Sequence, residues 1–142
     1  MKKIFLFIFC LIVLLVSDYQ KASATNDVLD IQTKKLNDLM PFWENMYNCN
    51  KYEKSILSNN GKYTFYYKVL GIEKNYCHVI IPEFNLDNCY FPLDVNKKIA
   101  DLKIKSYKEL LYKIKNEQKY SYNTNNSIDN YIQTMSAKYC KY

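Results

Sequence analysis

The chain has 142 residues, of which 49% are hydrophobic and 24% charged, and its formal net charge is +6. This balance argues for one folded domain and against an intrinsically disordered chain. Glycine occurs only at Gly61 and Gly71, which excludes a glycine-rich phosphate loop, a dinucleotide-binding fingerprint and a nucleophile elbow. The single histidine, His78, likewise excludes a multi-histidine metal site. We expect neither a metal nor a cofactor.

The first residues have the pattern of an export signal. Lys2-Lys3 precedes an apolar run from Ile4 to Val16, and a polar stretch then ends in Ala22-Ser23-Ala24. Signal peptidases cut after small residues placed in this way. A membrane anchor is the alternative, but the apolar run is shorter than the roughly 20 residues of a spanning helix. We predict a cleaved Sec-type signal peptide over residues 1–24, a mature domain over residues 25–142, and a secreted or periplasmic location.

Four cysteines remain in the predicted mature chain: Cys49, Cys77, Cys89 and Cys140. An even number of cysteines in an exported domain predicts disulfide bonds. No pair has the C-x-x-C spacing of a redox centre or a zinc knuckle. The pattern therefore predicts two structural disulfides rather than reactive thiols.

The basic residues argue against nucleic acid as a partner. All 20 of them are lysine, whereas a nucleic-acid-binding protein is expected to use arginine for bidentate contacts with bases and phosphates. Abundant lysine, asparagine and tyrosine are also typical of AT-rich coding sequence. Export would separate the protein from most nucleic acid. We therefore expect no nucleic-acid binding.

The mature chain begins with a helical pattern. Asn26 can cap a helix, and Pro41 should kink or restart it. The apolar positions that share one face of this helix are Leu29, Leu36, Leu39, Met40 and Trp43. A polar turn over residues 58–61 then separates the helical segment from the strands.

Three segments, residues 62–70, 76–82 and 88–93, have the alternating pattern of strands. A turn centred on Glu73 pairs Val69 with Cys77, so that the apolar faces of the first two strands coincide. The third strand contains Pro92, which is tolerated at the edge of a sheet. These segments predict a three-stranded antiparallel meander.

Two further helices are predicted after the strands. Asp94 caps the first and Ser127 caps the second, with a polar linker over residues 120–126 between them. The apolar faces comprise Ile99, Leu102, Ser106, Leu110 and Ile114 in the first helix, and Ile128, Tyr131, Ile132, Met135 and Tyr139 in the second. The predicted fold class is α+β: an N-terminal helix, the meander and two helices packed on one sheet face, stapled by two disulfides.

The predicted register restricts the disulfide pairing. A hairpin between the last two strands places Cys77 and Cys89 roughly 13 Å apart along the sheet, whereas a disulfide requires Cα atoms within about 7 Å. Each sheet cysteine should therefore bond to a helix end. Two pairings remain open: Cys49 with Cys89 and Cys77 with Cys140, or Cys49 with Cys77 and Cys89 with Cys140.

The stretch from Tyr66 to Cys77, preceded by Cys49 and followed by Asn88-Cys89, resembles a loose class of small exported bacterial proteins. Members of this class carry an upstream cysteine, a strand ending in glycine, a second cysteine after a short turn and a third further along. The resemblance covers roughly residues 49–100 and leaves out Cys140. It implies export and a shared scaffold, and it implies no activity.

The sheet face opposite the helices is the candidate binding surface. Its predicted residues are Thr64, Tyr66, Lys68, His78, Ile80 and Tyr90. An exposed aromatic and aliphatic patch with a basic edge suits a protein, peptide or glycan partner. In this register His78 lies opposite Lys68, and the two tyrosines flank Ile80. The alternative is that a helix or loop covers this face.

These features predict a non-catalytic binding module whose partner is a protein, peptide or glycan. One alternative is a small hydrolase-like enzyme that uses His78 with a carboxylate. Another is a cationic protein that makes weak electrostatic contact with anionic envelope polymers through its lysine-rich helix. Cys77 and His78 do not form a catalytic pair, because neighbours in a strand point to opposite faces.

Overall fold

The computed structural model describes residues 28–58, 61–82, 86–116 and 126–141. The predicted signal peptide, residues 1–24, lies outside the described residues, and so does the linker 120–126 except for Asn126. The chain divides into two compact units, Met1–Lys35 and Leu36–Tyr142. The described residues of the first unit are helical. No helix in the described part of the chain is long and apolar enough to cross a membrane.

The second unit has the α+β architecture that the sequence predicts. Helix α1 comprises residues 28–48, of which residues 36–48 belong to this unit. The other elements, in chain order, are β1 (Tyr52–Leu57), β2 (Thr64–Glu73), β3 (Tyr76–Ile81), β4 (Leu86–Pro92), α2 (Leu93–Lys115) and α3 (Asn126–Tyr139). The strands form one antiparallel sheet in the order β1-β2-β3-β4. The sheet is a meander, as predicted, but it has four strands rather than three.

Strand β1 is the element that the sequence analysis missed. Its half-buried positions are Tyr52, Lys54 and Ile56, while the residues between them are exposed. The lysine interrupts what would otherwise be an apolar alternation, so the pattern does not resemble a half-buried strand. Lys54 Nζ lies 3.0 Å from Asp38 Oδ1 of α1, and this ion pair accommodates the charge at a half-buried position.

The hairpin between β2 and β3 turns at Lys74-Asn75 rather than at Glu73. Both turn residues have positive φ, 48° and 70°, as a two-residue type I′ turn requires. A bulge between Val69 and Gly71 then shifts the register, so that Val69 pairs with Val79 instead of Cys77. The predicted pairing is wrong by three residues next to the turn, where His78 pairs with Gly71, and by two residues beyond the bulge. The predicted faces beyond the bulge are nevertheless correct, because a shift of two residues preserves the alternation.

The pairing of β3 with β4 is also displaced from the prediction. Cys77 lies opposite Phe91, not Leu93, and Cys89 lies opposite Val79. The two sheet cysteines are therefore closer along the sheet than predicted, but each bonds to a helix end as expected. Strand β4 lies at the edge of the sheet, as predicted for a strand that contains Pro92.

The helices of the second unit pack on the inner face of the sheet, which carries Tyr67, Val79 and Phe91. Helix α1 continues through Pro41 and does not restart there. Its buried side chains are Leu39, Phe42, Trp43 and Met46, so the predicted apolar face is extended by Phe42 and Met46. The ring of Phe42 makes an edge contact with Tyr67 at a centroid distance of 5.3 Å. This contact joins the helix to the centre of β2.

Helix α2 presents a different side to the core from the predicted one. Its buried residues are Asn96, Ile99, Ala100, Lys103 and Tyr107, so only Ile99 of the predicted stripe is fully buried. Lys103 is 8% exposed; its Nζ lies 3.2 Å from Asp129 Oδ1 of α3 and 5.9 Å from the centre of the Trp43 ring. A hydropathy pattern assigns a lysine to the solvent face, which explains the error. Asp94 lies in the first turn and makes no capping hydrogen bond.

Helix α3 buries the predicted face. Ile132 is fully buried, and Ile128, Tyr131, Met135 and Tyr139 pack against the core. Ser136 is also buried, and its hydroxyl donates a hydrogen bond to the carbonyl of Ile132. The helix begins at Asn126, so Ser127 lies inside its first turn rather than at the cap.

Two disulfides join helix ends to the sheet: Cys49 to Cys77, and Cys89 to Cys140. This is the second of the two pairings that the sequence leaves open. At the end of α1, Cys49 N–H donates to Met46 O and Asn50 N–H donates to Asn45 O, the hydrogen bonds of a Schellman motif. Cys49 occupies the position that glycine usually takes, with φ of 53°. The backbone geometry that ends the helix thus also directs the cysteine toward β3.

Candidate ligand-binding groove

The six predicted surface residues share the outer face of the sheet, but they do not form one cluster. Lys68 pairs with Ile80 across β2 and β3, and His78 pairs with Tyr90 across β3 and β4. His78 therefore lies opposite Gly71 and not opposite Lys68, and Lys68 rather than Tyr66 lies opposite Ile80. The displaced register explains both differences.

His78 lies in a polar pocket on the outer face of the sheet. Its Nδ1 atom is 3.1 Å from Glu73 Oε1, and its Nε2 atom is 2.6 Å from Asn88 Oδ1. The ring stacks on Tyr90 with a centroid distance of 4.1 Å and an interplanar angle of 22°. Only 9% of the histidine is exposed. The neighbour of the imidazole is therefore a carboxylate rather than the predicted ammonium group, and both ring nitrogens already have partners.

A groove opens beside this histidine, where the β2–β3 turn meets the C-terminal end of α3. Its volume is about 470 Å³, and its lining residues are Glu73, Lys74, Tyr76, Tyr90, Lys138, Tyr139, Cys140 and Lys141. The hairpin supplies one wall and the end of α3 supplies the other, with Tyr90 of β4 between them. We call this feature the tyrosine–lysine groove.

The disulfide Cys89–Cys140 holds the two walls together. The Cα atoms of its cysteines are 4.0 Å apart, and Lys141 N–H donates a hydrogen bond of 3.0 Å to Asn88 O. These two connections fix the segment after α3 along the free edge of β4. The groove is therefore built on a constrained backbone.

Positive charge predominates in the groove. Lys74, Lys138 and Lys141 line it together with a single acid, Glu73. Glu73 contacts His78, while Lys138 Nζ lies 5.1 Å from the centre of the Tyr139 ring. In the described part of the chain, no carboxylate lies within ion-pair distance of the three lysines.

The other end of the outer face has a different character. Lys68 Nζ lies 3.0 Å from Glu53 Oε1 of β1, so its charge has a partner. Tyr66 is 53% exposed, and Thr64 is also exposed. Tyr66 is separated from Glu73 by seven positions along β2, roughly 23 Å at about 3.3 Å per residue. Of the predicted set, Tyr90 lines the groove, and His78 contacts Tyr90 and Glu73 of its lining.

The sequence patterns do not indicate Tyr76, Lys74 or the residues at and after the end of α3 as part of a site. Lys138, Tyr139 and Lys141 are far from the hairpin in sequence, and they have no local motif. The signal that could have found them is the pairing of Cys89 with Cys140, which brings the C-terminal segment to β4. That pairing was one of two that the sequence left open.

The described residues contain no group of three or more histidine, cysteine, aspartate or glutamate side chains placed to hold a metal ion. The four cysteines of the second unit are bonded in pairs and present no thiol. The groups that line the groove are tyrosine rings, lysine ammonium groups, the Glu73 carboxylate and the half-buried Cys140. Comparison with protein-family models, with curated proteins and with solved structures finds no match to this chain.

Proposed function

We propose that the protein is a non-catalytic binding module and that the tyrosine–lysine groove is its ligand site. The observation that carries this proposal is the juxtaposition of three tyrosines and three lysines around a groove of about 470 Å³. This volume falls in the range of about 300–1,000 Å³ that is typical of ligand pockets. Aromatic rings provide contact area at a small cost in conformational entropy, and the lysines add charge.

The state of the reactive groups favours binding over catalysis. A general base needs a free ring nitrogen near its substrate, and both nitrogens of His78 are engaged by Glu73 and Asn88. The neighbouring Cys77 is bonded to Cys49. A hydrolase that uses His78 with Glu73 would first have to break one of these contacts.

We further propose that the protein is exported, after removal of residues 1–24. The two disulfides are compatible with an oxidising compartment outside the cytoplasm, and the basic, apolar and small-residue segments of the N-terminus support a signal peptide. The intact mass of the exported protein tests this proposal. We expect a mature chain that begins at Thr25, and an exported chain that begins at Met1 would contradict it.

Three tyrosine-to-alanine variants test the location of the site. Tyr76 lies in the groove, Tyr66 lies at the far end of the outer face, and Tyr112 lies on α2. They are 41%, 53% and 63% exposed, respectively, so none of the substitutions should unfold the protein. Each variant is applied to an array of neutral and acidic oligosaccharides and of acidic, basic and neutral peptides.

We expect a probe that binds the wild-type protein, the Tyr66→Ala variant and the Tyr112→Ala variant but binds Tyr76→Ala weakly. Loss of binding in Tyr66→Ala alone would place the site at the far end of the outer face. An array with no probe that depends on Tyr76 would overturn the groove as the ligand site.

A further inference from the structure

We infer that the groove binds an acidic oligosaccharide, a chain of sugar rings that carries carboxylate or sulfate groups. This inference rests on the proposed binding function and specifies the chemical class of the ligand. It follows from the rings, the charges and the backbone edge of the same site.

The tyrosine rings provide flat surfaces against which sugar rings can pack. One face of Tyr90 is covered by the imidazole of His78 at 4.1 Å, and Tyr90 also lines the groove. Contacts with Glu73 and Asn88 fix that imidazole in turn. Tyr90 is thus held in place before a ligand arrives, which lowers the entropic cost of binding. The apolar faces of sugar rings bury against such aromatic surfaces.

The lysines select a ligand with separated negative charges. Lys74 lies at the tip of the hairpin, while Lys138 and Lys141 lie at the end of α3, so ammonium groups occur on both walls. Lysine is a point charge with flexible donors, and unlike arginine it does not require a planar bidentate partner. A carboxylate or sulfate on successive sugar rings meets this requirement.

The backbone around the groove disfavours an extended peptide. Peptides that bind at a sheet commonly add a strand to a free edge. At the groove, the edge of β4 is occupied by the segment after α3, because Lys141 N–H donates to Asn88 O and Cys140 forms a bridge with Cys89. Recognition at this site must therefore use side chains, and the side chains present are tyrosines and lysines.

Three hexamers separate the contributions of rings and charges. Hexagalacturonate has sugar rings with carboxylates, maltohexaose has sugar rings without charge, and hexaglutamate has carboxylates without sugar rings. Binding of each labelled hexamer to the mature protein is measured by fluorescence anisotropy at low ionic strength, where surface charges are least screened.

Two charge-matched double variants complete the experiment. Lys74→Gln with Lys141→Gln removes two charges from the groove, and Lys108→Gln with Lys115→Gln removes two from exposed positions of α2. We expect the groove pair to weaken hexagalacturonate binding about tenfold, as the loss of two exposed charge contacts allows. The α2 pair should change the affinity by less than about twofold. Maltohexaose and hexaglutamate should each bind at least about tenfold more weakly than hexagalacturonate.

Each contrary result identifies the step that fails. Equal binding of hexaglutamate would overturn the saccharide as the ligand class while leaving the groove as a binding site, and equal binding of maltohexaose would overturn the requirement for acidic groups. An equal loss in the α2 pair would show attraction by the lysine-rich helix instead. If hexagalacturonate does not bind at all, the ligand class is wrong, and the Tyr76→Ala comparison on the array decides separately whether the groove binds another ligand.

Discussion

The C-terminal ends of α1 and α3 are joined to the sheet in the same way, but the two junctions differ in their surroundings. Cys49 at the end of α1 bonds to Cys77, and both are buried at 6% and 0% exposure. Cys140 at the end of α3 bonds to Cys89 and is itself half-buried where it lines the groove. One junction closes the core, whereas the other forms part of a candidate site.

The two disulfides differ more in their relation to the groove than in their contribution to stability. The two disulfides close loops of 28 and 51 residues, and the chain-entropy model assigns them similar contributions of about 3.5 and about 4 kcal/mol. Only the second fixes residues that line the groove. The junctions should therefore be similar in their effect on unfolding and different in their effect on ligand binding.

Removal of each disulfide tests this difference with the largest expected effect. Replacing Cys89 and Cys140 with alanine should lower the free energy of unfolding by about 4 kcal/mol and also weaken binding to the groove, because the end of α3 loses its covalent attachment to β4. Replacing Cys49 and Cys77 should cost about 3.5 kcal/mol and leave the affinity unchanged under conditions where that variant is folded. Urea unfolding and hexagalacturonate anisotropy measure the two quantities. An equal loss of affinity in both variants would contradict the comparison.

The contacts of His78 lie next to the groove junction and give the next largest effect. Alanine at this position leaves Glu73 and Asn88 without their partner and removes the stacked ring below Tyr90. Because Glu73 and Asn88 are exposed and can bind water instead, the cost comes chiefly from loss of the nearly buried ring; we expect a loss of about 1–3 kcal/mol in unfolding free energy together with weaker groove binding. Thermal melting beside the anisotropy assay checks both. A variant with unchanged stability would show that the histidine contacts contribute nothing to the fold.

The ion pair between Lys103 of α2 and Asp129 of α3 tests whether a charge contact stabilises the packing of α3. The side chain of Lys103 is 10% exposed and that of Asp129 is 25% exposed. Asp129→Asn removes the carboxylate that lies 3.2 Å from a nearly buried ammonium group, and we expect a cost of about 2 kcal/mol. Lys103→Met places an apolar chain against Trp43 and should cost less than about 1 kcal/mol. The reverse order of the two urea midpoints would refute this explanation.

Substitution of Lys74 by asparagine should have a smaller effect, and it should stabilise the protein. Its φ of 48° belongs to a conformation that asparagine and glycine adopt more readily than lysine. Lys74→Asn should therefore raise the free energy of unfolding by about 0.5 kcal/mol, while removing one positive charge weakens hexagalacturonate binding. If binding is unchanged, the lysine does not serve the groove.

The smallest effect lies at the ion pair of Lys54 with Asp38, away from the groove. The hydrogen bond and the charge of Asp38 raise the pKa of Lys54 above its usual value of 10.5. A base with a raised pKa in the folded state stabilises the protein below its unfolded pKa, and this contribution disappears as pH rises through the folded pKa. The urea midpoint of wild type should exceed that of Asp38→Asn at about pH 8, and the difference should shrink above about pH 11. A difference that persists there would contradict the ion pair.

The sequence was sufficient for the faces of the sheet and insufficient for its register. The alternating apolar residues Tyr67 and Val69 identify the inner face correctly, because a hydrophobic pattern determines which residues of a strand face the core. The pattern carries no information about the bulge at Leu70, which depends on how both strands of the hairpin pair. The pattern also does not locate the turn: because the prediction centred it on Glu73, it placed His78 opposite Lys68, whereas its partner in β2 is Gly71.

Inward-facing lysines account for the other differences. Lys54 in β1 and Lys103 in α2 interrupt the apolar pattern of the inward-facing side. Each can lie there because it is paired with an acid from another element. The groove escaped detection for a related reason. The disulfide between Cys89 and Cys140, which are 51 residues apart in sequence, brings Lys138 and Lys141 close to the hairpin. A local sequence pattern does not predict such a long-range contact.

The most direct test of the central claim is a titration of the isotope-labelled mature protein with hexagalacturonate, followed by the backbone amide resonances. We expect saturable changes in the amide chemical shifts of residues 73–76, Tyr90 and residues 138–141. No comparable change is expected at residues 108–115 of α2. Shifts centred on α2, or no shifts at a ligand excess that would saturate a micromolar site, would contradict the assignment of the tyrosine–lysine groove as an acidic-oligosaccharide site.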